Sequence, residues 1–255
     1  MSQPEEQGHY ARKQMGCGMG LISWSHRRRF ETGLKLVSVF KGGRLLDYGS
    51  GDGTFLSMLA KAVDHPGEMV GSEIDERLVA ECNGRFKAVD GLRFVHSTEL
   101  RADAFSNHFD TLVCMEVLEH VTDVDAHLVR FARWLAPGGT LLISVPVEIG
   151  LPLLVKQSAR CVAGWMGLGD YPGTTPYTWG QLARSVMAGA DQHMERPVHK
   201  DPGGLSSHDH KGFNWRLLRE KVRRGFQLEE TVYSPINCLG PQLASQVWMI
   251  ARKRQ

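Results

Sequence analysis

The chain has 255 residues, 42% hydrophobic and 23% charged, with a formal net charge of +2. Those proportions exclude a disordered chain, which would be poorer in apolar side chains and further from neutrality. They also exclude a surface built for bulk phosphate contact. Glycine is the outlier at 28 residues, about 11% against a usual ~7%. The five cysteines (Cys17, Cys82, Cys114, Cys161, Cys238) form no C-x-x-C pair, which suits reduced thiols. Residues 1–7 are polar and acidic, unlike a secretory signal, and no apolar run is long enough to span a bilayer. A soluble, cytoplasmic protein of one domain is expected.

Residues 1–40 carry Tyr10 and the basic run Arg27-Arg28-Arg29, and read as an N-terminal helical cap. Arginines in such a run form a solvated face as a rule; an RNA footprint is the other reading. Residues 41–146 alternate β-rich and helical patterns. Arg44–Tyr48 reads as a buried strand, followed by glycines and a helix over 55–62. Glu68–Glu73 is a second strand, 76–86 a helix, Leu92–His96 a third strand and Phe109–Met115 a fourth. Val124, His127, Leu128, Phe131, Trp134 and Leu135 then share one face of a helix that Pro137-Gly138-Gly139 ends, before a fifth strand over 140–145. Apolar strands alternating with helices predict a parallel sheet covered on both faces.

Residues 147–211 are far longer than the ~2–6 residues of an ordinary connection. They read as a lid or substrate insert over the carboxyl ends of the strands, where open α/β sheets bind ligands. In its first helix Leu151, Leu154, Val155, Val162, Trp165 and Met166 form an apolar face opposite Lys156, Gln157 and Arg160. Packing onto the core is the plain use of that face; an apolar acceptor cavity or peripheral contact with a membrane are the others. A second helix is expected over 179–187, then a histidine-rich loop over 191–210. Residues 212–255 return to the core with a helix over 213–224 and strands over 227–233 and 246–252, joined as an antiparallel edge.

The first strand runs into Asp47-Tyr48-Gly49-Ser50-Gly51-Asp52-Gly53-Thr54. Glycines at alternate positions permit a tight turn and close approach of backbone to a ligand. Thr54 stands where a dinucleotide fingerprint needs its third glycine, and no G-K-[ST] follows for a phosphate loop. Asp47 would repel a pyrophosphate and suits a cationic ligand. Glu73 ends the next strand, a place suited to holding both hydroxyls of a ribose.

These residues, together with Cys114-Met115-Glu116-Val117-Leu118-Glu119-His120-Val121, resemble the class I S-adenosylmethionine-dependent methyltransferases, nearest the ubiquinone- and menaquinone-biosynthesis branch. The resemblance covers about 40–146 and, more loosely, 207–252. It implies an α/β fold, a Rossmann-like doubly wound seven-stranded sheet with an antiparallel last strand, plus the helical insert. It implies S-adenosyl-L-methionine as cofactor, with Asp47, Gly49 and Gly51 at its methionine end, Glu73 on the ribose and Glu116 near the sulfonium. Ser50, Gly53, Ile74, Thr98, Glu99 and Met115 complete the expected cofactor contacts. The branch's usual aspartate after the second strand is Glu73 here, a longer reach.

Methyl transfer is an in-line displacement served by orientation, and an oxygen acceptor must also lose a proton. His210 or His208 is the preferred base; a polar loop of hydrogen-bonded histidines is the plain reading of the same stretch. A metal held by His208, His210, Asp201 and Asp209 is the other reading of that cluster. Its spacing matches no known ligand pattern, so no metal is expected. His120 is expected to pack under the glycine loop, Glu119 reads equally as a surface acid, and Glu148 is placed to meet substrate. The expected activity is methylation, on oxygen, of a small-molecule, lipid- or sugar-linked acceptor. The alternatives are an RNA or protein methyltransferase and a non-catalytic cofactor-binding module; nucleic acid is the weaker partner because the charge is slight.

Overall fold

The computed structural model describes residues 20–39, 43–62, 64–165, 176–200 and 204–254. Tyr10, Cys17, Asp201 and residues 166–175 lie outside them, and so does the first part of the expected cap. In chain order the larger elements are α1 (Gly20–Val39), β1 (Arg44–Tyr48), α2 (Thr54–Leu59), β2 (Glu68–Glu73), α3 (Glu76–Arg85), β3 (Leu92–His96), β4 (Phe109–Met115), α4 (Val124–Trp134) and β5 (Leu135–Pro146). There follow α5 (Leu151–Trp165), α6 (Trp179–Val186), β6 (Val198–Lys200), β7 (Ser206–His208), α7 (Trp215–Gly225), β8 (Phe226–Ser234) and β9 (Gln246–Lys253).

Seven strands form one sheet in the order β3-β2-β1-β4-β5-β9-β8. β1 to β5 pair in parallel, and β9 pairs antiparallel with both β5 and β8. The expected antiparallel pair exists, but its last strand lies inside the sheet and β8 takes the edge. The strand order reverses between β1 and β4, so the loops leaving these neighbours diverge and open a crevice at their carboxyl ends.

Side chains alternate across the sheet, and consecutive apolar residues therefore feed two cores. Leu45, Met69, Phe94, Val113, Leu142, Trp248 and Ile250 pack with Phe30, Phe55 and Phe86 of α1, α2 and the end of α3. Leu46, Val70, Leu112, Ile143 and Met249 pack on the opposite face with Phe131 and Trp134 of α4 and Trp215, Leu218 and Val222 of α7. α4 buries three members of its predicted face, Leu128, Phe131 and Trp134, and Asp123 caps it by accepting from Ala126 N. The helix stops at Trp134, earlier than Pro137, because the chain is already extended at Leu135 and begins β5.

The insert departs from its predicted orientation. Leu153 of α5 is buried, while Leu151, Leu154 and Val155 of the expected core-facing side are 56%, 38% and 62% exposed. Lys156, expected on the solvent side, turns inward, and its ammonium donates to Val147 O, Glu148 Oε1 and Ser245 O. Three acceptors at one point outweigh the apolar stripe in setting the rotation of the helix. The histidine-rich stretch is no simple loop, for β6 and β7 pair within it as an antiparallel hairpin. No helix among the described residues is long and apolar enough to cross a membrane.

Candidate active site

The glycine loop sits at the crevice, directly after β1. Gly49 has φ 78° and a Cβ there would lie 2.3 Å from Val117 Cγ2; Gly51 has φ 53° with nothing within 4 Å of the same position. One glycine is required by protein packing and the next faces open space. The loop's amides are already engaged. Gly49 N and Ser50 N donate to Ser72 O, Gly53 N to Ser50 O, Gly51 N to Glu73 Oε2 and Thr54 N to Asp52 Oδ1. A phosphate cradle needs free amides. Here the groups left over are acceptors instead. Asp47 is 1% exposed, and among the described residues neither of its carboxyl oxygens, nor Ser50 Oγ, has a hydrogen-bond partner. Burial, and then the nearby Glu73 charge, push the Asp47 carboxyl up to about 8.

Glu73 uses its extra methylene to fold back on the loop, its second oxygen accepting from Ile74 N at 2.7 Å. Beside it, His96 at the end of β3 bridges Ile74 O and Thr98 Oγ1, and Glu99 Oε1 accepts from His96 N. Thr98 and Glu99 are thus tied through His96 to Ile74, the neighbour of Glu73.

Across the crevice β4 ends at Met115, and Glu116 takes φ 55°, a left-handed conformation rare for a side chain of its kind. It is held there by Glu116 N donating to Ser144 O, by Ser144 Oγ donating to Glu116 Oε1, and by Arg29 of α1 at 3.6 Å from Glu116 Oε2. Arg29 is 5% exposed. That corrects the solvated reading of the basic run at Arg29; Arg27 is exposed, and Arg28 pairs with Glu31 on the partly exposed side of the helix. His26, one turn before Arg29, is lowered to about 4 by burial and then by the Arg29 charge.

Beyond Glu116 the chain carries Glu119 and His120. Glu119 is 0% exposed, not the surface acid of the alternative reading, and burial followed by the Glu116 charge holds its carboxyl well above the usual range. His120 does not pack under the glycine loop; Val117 does. His120 instead joins the insert by two reciprocal bonds, His208 N donating to His120 O and His120 Nδ1 bonding His208 O, each at 2.9 Å. Arg196 adds hydrogen bonds to Glu119 O and Asp209 O.

This docking separates the two expected bases. His210 enters the crevice, its ring centroid 4.9 Å from that of His120 and its Nδ1 3.9 Å from Glu148 Oε1. Burial lowers the His210 imidazole below its ordinary value. His208 points away, bonding Pro197 O through Nδ1 and lining a separate cavity of about 200 Å³ with Val121, His193, Phe213 and Leu217. Glu148 is buried and paired with Lys156 at 2.9 Å. Asp209 is committed to Lys211 N and approaches His199, so His208, His210 and Asp209, the described members of the expected metal cluster, do not converge.

The chain matches a family model described as methyltransferase domain over residues 23–220. It belongs to that methyltransferase family. Among its relatives is the ubiquinone/menaquinone biosynthesis C-methyltransferase of Ectopseudomonas mendocina, 29% identical over 174 residues, 67% of this chain and 68% of the other. The ubiquinone biosynthesis O-methyltransferase of Caulobacter sp. is 29% identical over 187 residues, 71% of each chain. An S-adenosylmethionine-dependent methyltransferase from Mesorhizobium loti shares the fold, with TM-score 0.52 and 15% identity over 87% of this chain and 96% of that one. The protein is a class I S-adenosylmethionine-dependent methyltransferase near the ubiquinone-biosynthesis branch.

The methyltransferase's own polar groups fit that cofactor. An unpartnered buried carboxyl beside a glycine open to the crevice suits a ligand carrying ammonium and sulfonium charge, and amides already engaged within the loop do not suit a polyphosphate. Sequence reasoning missed Arg29, His26 and Lys156 as site residues. The one available signal was a run of arginines ahead of an aromatic, which does not say which of them turns inward.

Proposed function

We propose that the enzyme transfers the methyl group of S-adenosylmethionine to an oxygen of a small-molecule acceptor. Asp47, with Gly49, Ser50, Gly51 and Gly53, receives the methionine end; Glu73 and Ile74 receive the ribose, Thr98 and Glu99 the adenine side. Met115 and Glu116 flank the methyl. The acceptor oxygen attacks the methyl carbon in line as the carbon–sulfur bond breaks. Sulfur keeps the electron pair, giving S-adenosylhomocysteine. His210 takes up the proton that the acceptor's hydroxyl loses, and the insert over 147–211 covers it as a lid; His208 has no part in this step.

The observation that carries this reading is the approach of His210 to Glu148, just past β5, and to His120, just past β4. An apolar acceptor, and peripheral contact with a lipid surface, are supported by the outward Leu151, Leu154 and Val155 of α5 with Trp179 of α6, 87% exposed. The relatives named for ubiquinone biosynthesis point the same way. Nucleic acid is disfavoured because two of the three arginines in the basic run are committed to Glu31 and Glu116.

The test is a screen of hydroxylated aromatic and prenylated acceptors, reading S-adenosylhomocysteine release and the position of the new methyl by NMR. An O-methyl product with acceptor-dependent release supports the proposal. A methyl on carbon or nitrogen, or release with RNA alone, overturns it.

A further inference from the structure

Three side chains in the crevice are arranged as ligands rather than as a hydrogen-bonded cluster. Glu119, His120 and His210 each offer one ligand atom, and these atoms lie within 4.8 Å of one another. Glu119 is fully buried, and neither of its carboxyl oxygens has a hydrogen-bond partner among the described residues. A buried carboxyl with no donor costs a few kcal/mol of lost hydration unless something else satisfies it. Arg196, a half-buried cation whose charge reaches Glu119, spends its bonds on the backbone carbonyls of Glu119 and Asp209 rather than on that carboxylate.

His120 is set in the tautomer a metal ligand requires. Its Nδ1 faces the carbonyl of His208, which can only accept, so Nδ1 carries the hydrogen and Nε2 keeps its lone pair. That lone pair faces Glu119, with Nε2 3.9 Å from Oε1, too long for a hydrogen bond. A ring nitrogen fixed by a backbone carbonyl, with the other turned toward a carboxylate, is the outer-shell arrangement that orients metal-binding histidines. His210 approaches the same point from the insert with its ring edge-on to His120.

We propose that Glu119, His120 and His210 form a binding site for a divalent first-row transition cation. Two imidazoles with one carboxylate favour Zn²⁺, Co²⁺ or Mn²⁺ over Mg²⁺ and Ca²⁺, which prefer all-oxygen shells. Three protein ligands leave coordination positions open, the pattern of catalytic rather than structural sites. The ligands come from the segment after β4 and from the insert, so the cation pins the insert to the sheet. The inference rests on the proposed methyl transfer for the cation's role, though not for its binding. It changes how His210 acts: the ring holds the cation, an acceptor hydroxyl entering an open position is made more acidic by coordination, and its proton passes to water.

The test is titration of the full-length, S-adenosylmethionine-loaded protein with Co²⁺, following visible absorption, with Zn²⁺ as displacing competitor and Mg²⁺ as the hard-cation comparison. One equivalent of Co²⁺ is expected, displaced by Zn²⁺ and untouched by Mg²⁺ in excess. Glu119→Gln and His210→Ala should each weaken it by about tenfold or more, while His199→Ala on the exposed hairpin leaves it unchanged. Calorimetry with S-adenosylmethionine on each variant shows that it has folded. Absence of Co²⁺ binding by protein that binds S-adenosylmethionine overturns the inference and leaves the methyltransferase reading standing. Binding that survives both ligand substitutions overturns it as well. Co²⁺ binding with no methyl transfer to any hydroxylated acceptor keeps the cation site and removes the proposed reaction instead.

Discussion

At the scale of the residue, Asp47 is the side chain whose state is most altered by its surroundings. Its carboxyl titrates near 3.8 in a free chain and near 8 in the fold, burial being the main cause. Between those values the folded state keeps a proton that the unfolded state has released. Stability of the cofactor-free protein therefore falls through this group as pH rises from about 4 to about 8, and is flat above. Asp47→Asn should remove that slope, as read from urea midpoints at pH 5 and pH 8. The same substitution should weaken S-adenosylmethionine binding in calorimetry by about tenfold or more, since a charge-assisted hydrogen bond contributes ~1.5–3 kcal/mol. The two loop glycines should separate by cause. Gly49→Ala drives a Cβ into Val117 and should lower the thermal midpoint. Gly51→Ala meets no protein atom, so it should fold with a loss of about 1 kcal/mol yet bind cofactor poorly. Both glycines and Asp47 were legible because a loop's conformation is set by its own few residues. Arg29 and Glu119 were not legible, because nothing adjacent in sequence tells that Glu116 or the insert will close over them.

At the scale of the element, periodicity named the helices and strands of the core and misjudged the rotation of α5. An amphipathic pattern gives the direction of the apolar stripe but not the position of the rest of the molecule. For α5 the deciding contacts are polar, from Lys156 to Glu148 and two carbonyls. Lys156→Ala strips a buried carboxylate of its partner and should cost about 3–5 kcal/mol in chemical denaturation. Val155→Ser, on the exposed apolar side, should change stability by less than about 0.5 kcal/mol. The reverse outcome would restore the orientation drawn from the hydrophobic stripe. The β6–β7 hairpin was invisible to pattern because its strands are three residues each, too short for an alternation to stand out.

At the scale of the whole molecule, cofactor and fold are thermodynamically linked. S-adenosylmethionine at one hundred times its dissociation constant stabilises a protein that binds it only when folded by about 2.7 kcal/mol. For a chain of this size that corresponds to a rise in thermal midpoint of about 5–10 °C, and Gly51→Ala should abolish the rise at the same ligand concentration. The amino-acid sequence by itself determined the alternation of strands and helices, the glycine loop and its acid, and the acid closing β2. Each of these is encoded within a few neighbouring residues. The tertiary structure alone decided that β9 lies between β5 and β8, that Arg29 and Lys156 turn inward, and that the imidazole of His210, not that of His208, meets the side chains of Glu119 and His120. Those outcomes depend on burial and hydrogen-bond satisfaction between segments far apart in the chain, a competition no local pattern records.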